Sequence, residues 1–129
     1  MRLSRRRFGV MAFGASALTA CGSLVRRSSM YGRLARATAA PGKRDALIAI
    51  LLKASKAMPG CLSYIVAQDS TNPDAIWITE VWDSQASHKA SLSLPSVKEA
   101  ISEARPLIAG FDKPIETVPV GGYGLRGAA

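Results

Sequence analysis

The chain has one histidine, His88, one asparagine, Asn72, and two cysteines, Cys21 and Cys61, among its 129 residues. With so few ligand-type side chains it holds no metal-ligand cluster of recognisable spacing. It also lacks a phosphate-binding glycine loop and a Ser-His-Asp arrangement. Aromatic residues make up only 6% of the chain. None of them interleaves the basic residues as a base-stacking platform would require, so nucleic acid is not an expected partner. The apolar run from Gly9 to Leu18 is too short to cross a bilayer.

What the front of the chain does have is a cluster of positive charge ahead of that run. Ser4-Arg5-Arg6-Arg7-Phe8 followed by Ala- and Gly-rich apolar residues is the layout of a secretory signal. Ser-Arg-Arg-x-Phe resembles the recognition motif of the twin-arginine export route, the general secretory route being the alternative. Leu18-Thr19-Ala20-Cys21 resembles a bacterial lipobox, which directs a diacylglycerol onto the cysteine thiol. Leu18 is not the small residue that ordinary signal peptidase needs three places before its cut. The expectation is a signal over residues 1–20, a lipidated Cys21 as membrane anchor, and a flexible tether over residues 21–30. The other reading of Cys21 is an incidental cysteine in an uncleaved anchor.

Export would also change the charge. Without Arg2, Arg5, Arg6 and Arg7 the 17 basic residues become 13 against 9 acidic ones, so a net charge of +8 becomes +4. The remaining positive charge is diffuse, and the tether residues Arg26 and Arg27 can touch anionic headgroups. With Cys21 lipidated, Cys61 has no partner. It is either a buried inert thiol or, in an oxidising compartment, a reactive or intermolecularly bridged one.

Residues 31–120 suit one domain with a single core. The pattern predicts a strand over Tyr31 to Thr38 and a helix over Lys43 to Met58. The helix carries a stripe of Leu47, Ile50, Leu51, Ala54 and Met58, and Pro59-Gly60 stops it. Leu62, Tyr64 and Val66 alternate with Ser63, Ile65 and Ala67 in a second strand. A turn through Asn72-Pro73 leads to a third, Ile76 to Trp82, with Ile76, Ile78, Glu80 and Trp82 on one face. Ser84 is an N-cap for a helix through His88 to Leu92. Pro95 opens another helix through Arg105, which Pro106 ends. Ile115 to Val120 reads as a last strand and residues 121–129 as a glycine-rich tail. This order is the split βαβ pattern of an α+β, ferredoxin-like fold: a four-stranded antiparallel sheet with helices on one face. A second copy of the chain is expected to cover the other face.

Pro59-Gly60-Cys61-Leu62-Ser63-Tyr64, Glu80-Val81-Trp82-Asp83-Ser84, His88 and Pro106-Leu107-Ile108-Ala109-Gly110-Phe111, in this order and at these separations, resemble the antibiotic biosynthesis monooxygenase family. The resemblance implies a homodimeric α/β barrel with a pocket between sheet and helices. It also implies activities ranging from oxidation of quinols and phenols without flavin or metal cofactor to haem breakdown, together with members that have no chemistry. Haem-degrading relatives use an Asn of the first strand, and here the one asparagine, Asn72, lies in a turn, so haem degradation is disfavoured. Many relatives carry a His-Leu step nine residues after the tryptophan. Here that place holds Ser91-Leu92, and His88 stands six residues after Trp82.

The expected site follows from these residues. Glu80 is either a base or orienting carboxylate, or the partner of Arg33 or Arg36 in a structural ion pair. His88 either titrates in a pocket, with Ser91 one turn further along the same face, or is a solvated surface histidine. Trp82 and Tyr64 either line the ligand site or pack in the core. The leading expectation is an exported, lipid-anchored monooxygenase-like protein, without cofactor, acting on a small aromatic of the quinol or phenol type. His88 and Glu80 would be catalytic, and Trp82, Tyr64 and Ser91 would bind the substrate. The alternative is a non-catalytic ligand-binding or dimerisation module of the same fold.

Overall fold

The computed structural model describes residues 30–125; the expected signal, Cys21 and most of the expected tether lie outside the described residues. In chain order the elements are β1 (Tyr31–Ala39), α1 (Arg44–Ala54), β2 (Cys61–Gln68), β3 (Ala75–Trp82), α2 (Gln85–Ser91), α3 (Pro95–Ala104), β4 (Ile108–Phe111) and β5 (Ile115–Thr117). All strand pairings are antiparallel, and the sheet runs β2-β3-β1-β4 with β5 also on β1. This is the predicted α+β arrangement, with helices on one face of an open sheet.

The fourth strand differs from its prediction. β4 pairs with Ala37–Ala39 and β5 with Gly32–Leu34, on the same edge of β1. Together they form one edge strand, interrupted at Asp112-Lys113-Pro114. Pro114 has no N–H for the ladder and breaks the pairing there. The predicted strand Ile115 to Val120 ends at Thr117, two residues before Pro119. Ile108–Phe111, unassigned from the pattern, is the other half.

Alternation along β1 and β3 puts Tyr31, Arg33, Ala35 and Ala37 beside Trp82, Glu80, Ile78 and Ile76 on the helix-covered face. The small residues Ala35, Ala37 and Ala39 let the helices approach closely. Leu47 of α1 and Ala104 of α3 pack there against Ile76 and Ile78. α1 stops at Ala54, a turn short of the predicted Met58. The Ser55 hydroxyl donates to the Leu52 carbonyl at 3.0 Å, a local bond that competes with helix continuation.

The opposite face of the sheet is open. Ile65, Trp77 and Ile115 are exposed there. Its polar anchor is Asp69, which accepts from Thr71, from the backbone N–H of Asn72, from Arg36 Nε and from Trp77 Nε1. These donors hold the Asp69 carboxyl well below the usual carboxylate range.

Candidate functional site

The packed half of the molecule ends at Ile78, and beyond it sheet and helices diverge around a cavity of about 560 Å³. Its floor is β3, where side-chain alternation turns Ile78, Glu80 and Trp82 inward. Its apolar walls come from Leu51 and Met58 on the α1 side, from Val97 and Ile101 on α3, and from Ile108 and Phe111 on β4. The volume matches sites for small organic ligands.

Glu80 is the charged group at the centre, only 6% exposed. Its Oε1 accepts from Arg33 Nη1 at 3.1 Å and its Oε2 from the Trp82 indole Nε1 at 2.9 Å. Of the two partners expected for Glu80, the sheet register selects Arg33, directly opposite on β1; Arg36 faces the other way, onto Asp69 and Asp112. Trp82 is fully buried. It packs in the interior and also lines the cavity.

His88 is turned inward and is not a solvated surface histidine. Its ring lies 5.3 Å from that of Tyr31 and 5.4 Å, edge-on, from that of Trp82. Its Nε2 stands 3.8 Å from Glu80 Oε2, an ion-pair distance if the imidazole is protonated. Burial pushes the imidazole below its ordinary value of 6.5. Glu80 pulls it back up and Arg33 opposes that pull. The group is thus kept neutral near pH 7, with a carboxylate in position to stabilise it once it accepts a proton.

Local sequence explains how His88 is positioned. Ser84 caps α2, its Oγ accepting from the Ser87 N–H at 3.1 Å. Gly60, at φ +82°, turns the chain in under this helix, and its carbonyl accepts from Asp83 N–H at 2.9 Å. A Cβ at Gly60 would come within 2.6 Å of the Ser87 side chain. The Pro59-Gly60 turn is therefore a seat for α2 as well as a helix stop. Ser91 is buried and lines the cavity, and its hydroxyl donates to the His88 carbonyl at 2.7 Å, which commits its proton within the helix.

Tyr64 also faces the cavity, opposite Glu80. Burial, then the Glu80 charge, push its phenol above the ordinary value of 10, so it remains a hydrogen-bond donor. The alternation expected through Leu62 and Tyr64 is interrupted where the ladder shifts between Cys61 and Ser63. This bulge puts Cys61 across from Trp82 in the place that strict alternation assigns to Leu62. Cys61 is half-buried. Burial and the nearby Glu80 push its thiol up, so it is mostly protonated near pH 7.

Besides the apolar walls, Tyr31 and Phe111 are contributors that were not assigned to the site from sequence. Tyr31 opens β1, and its hydroxyl donates to Glu116 Oε1 at 2.8 Å while its ring meets His88. Phe111 lines the cavity from the unassigned β4. Among the described residues no group of three or more His, Cys, Asp or Glu side chains converges as a metal site would require.

Sheet and helices around a largely apolar chamber, with Glu80 and His88 side by side at it, define an α+β protein of the split βαβ type. The chain belongs to the antibiotic biosynthesis monooxygenase family, whose family model matches residues 30–103. A Chloroflexus aurantiacus J-10-fl protein whose crystal structure carries the same family name is 67% identical, with a TM-score of 0.74, over 75% of this chain and 99% of that one. The crystal structure of PA3566 from Pseudomonas aeruginosa superposes with a TM-score of 0.65 at 22% identity, over 74% of this chain and 98% of that one. A Caulobacter crescentus CB15 structure gives 0.61 at 22% identity, over 74% and 92%. These last two show the fold. No curated protein matches the chain.

Proposed function

We propose that this protein is a monooxygenase that oxidises a small electron-rich aromatic, of the phenol or quinol class, with dioxygen and no cofactor. The observation that carries the reading is His88 Nε2 set 3.8 Å from the Glu80 carboxylate at the wall of an apolar chamber. His88 takes the phenolic proton, and Glu80, fixed by Arg33 and Trp82, offsets the charge of the imidazolium. The phenolate then gives one electron to dioxygen, and the resulting radical pair combines at the ring carbon, in a site from which the apolar walls exclude water. The balance needs no other reductant. A phenol gives up four electrons in becoming a quinone; one oxygen atom enters the ring carbon and the other leaves as water with two hydrogens from the substrate.

The test is dioxygen uptake across a panel of quinols and phenols, with quinone formation followed by absorbance. Uptake matched by product supports the reading. Absence of turnover, with the same compounds still raising Tm, leaves a binding module. One observation favours that second reading: both Glu80 oxygens are already engaged by protein donors.

The same proposal includes export and anchoring, supported by Ser4-Arg5-Arg6-Arg7-Phe8 and Leu18-Thr19-Ala20-Cys21. An anchor at Cys21 would hold the cavity near lipid-soluble quinols. Radiolabelled palmitate should enter the wild type and be lost in Cys21→Ala. It further includes a homodimer, supported by exposed Ile65, Trp77 and Ile115 on the open sheet face. Sedimentation of a form lacking residues 1–21 should report twice the monomer mass.

A further inference from the structure

A second, more open cavity, of about 700 Å³, adjoins the first, and the two share Arg33, His88 and Leu92 as lining. Their chemistry differs. The inner chamber is apolar around Glu80 and His88. The outer one is bordered by Lys89 of α2 and by Lys113 and Glu116 of the broken edge strand. Arg33 commits its Nη1 to Glu80, and Glu116 is engaged by the Tyr31 hydroxyl. Among the described residues neither Lys89 nor Lys113 takes part in an ion pair. Two lysines outside any ion pair thus line the outer chamber with one carboxylate that is already hydrogen-bonded, and the chamber has an excess of positive charge. The interruption at Asp112-Lys113-Pro114, which costs the sheet part of its ladder, is what brings Lys113 to this rim.

We propose that the two chambers take one bipartite ligand, a hydroxyaryl carboxylate, with the ring and its hydroxyl in the inner chamber beside His88 and the carboxylate in the outer chamber between Lys89 and Lys113. This rests on the reading that the inner chamber holds a hydroxyaromatic. Arg33 separates the ligand's carboxylate from Glu80, so the two negative charges do not meet unscreened. The apolar walls reward burial of the ring, and the lysines discriminate acidic from neutral aromatics. Because both lysines are exposed, their contribution depends on ionic strength.

The experiment is calorimetric binding of a naphthol and of its carboxylated counterpart, hydroxynaphthoate, to the full-length chain at low and high salt. The same titrations are made on the Lys89→Glu/Lys113→Glu double variant. Hydroxynaphthoate should bind roughly tenfold more tightly than naphthol at low salt. That advantage should shrink at high salt and disappear or invert in the double variant, while naphthol binding is preserved as the control for folding. Naphthol binding with no gain from the carboxylate, or a gain that survives the double substitution, overturns the outer subsite alone. If neither compound binds, the aromatic-site reading of the inner chamber falls, and this assignment falls with it.

Discussion

His88 Nε2 lies 3.8 Å from Glu80 Oε2, and the same carboxylate is held through its other oxygen by Arg33 Nη1 at 3.1 Å. The imidazole can therefore gain a proton with a counter-charge already in place, while burial keeps it unprotonated beforehand. That relationship leads to a definite pH dependence. In the unfolded chain His88 titrates near 6.5; in the folded chain it titrates lower. As pH falls through 6.5 the unfolded chain binds the proton first, so folding stability decreases towards acid and is unaffected above neutrality. Thermal melts between about pH 5 and pH 8 should show this slope in the wild type, and His88→Gln should flatten it. The acid limb of any activity profile should lie below pH 6.5 for the same reason.

Trp82→Phe keeps most of the buried ring and removes the indole N–H that donates to Glu80 at 2.9 Å. The loss leaves one oxygen of a buried carboxylate without its donor. A destabilisation of about 1–3 kcal/mol is expected, measured by denaturant unfolding. Turnover should fall as well, because Glu80 is then fixed by Arg33 alone.

Gly60→Ala meets two obstacles at once, a φ of +82° and a Cβ position 2.6 Å from Ser87. About 1–3 kcal/mol of strain is expected, which lowers Tm by roughly 5–15 °C in a domain of this size. Since Ser87 adjoins His88 in α2, relief of the clash should displace the imidazole. Catalytic loss beyond the loss of folded protein is therefore expected, and rates normalised to the folded fraction will show it.

Regular periodicity was readable wherever it governed the structure. Ile76, Ile78, Glu80 and Trp82 share one face because a strand repeats every two residues, and Ser84 starts a helix through its capping hydroxyl and Pro95 through its fixed φ. What the pattern missed lies where periodicity breaks. The β2 ladder shifts beside Leu62 at a bulge, which no residue type in Cys61-Leu62-Ser63 announces. The edge strand is cut by Pro114, so its first half, Ile108–Phe111, is only four residues long, with a glycine inside it. The inward turn of His88 was ambiguous because α2 has seven residues and no apolar stripe of its own; contacts with Tyr31, distant in sequence, and with Trp82 at the end of β3 orient it. Tyr31 had no local signal at all, since its partners are His88 and Glu116.

The most direct test of the account is dioxygen consumption by wild type and His88→Ala, assayed side by side on a quinol that stabilises both. The account predicts turnover by the wild type, with one atom of heavy-isotope dioxygen appearing in the product, and a rate lowered by about 100-fold or more in the variant. Equal rates in the two proteins would contradict it.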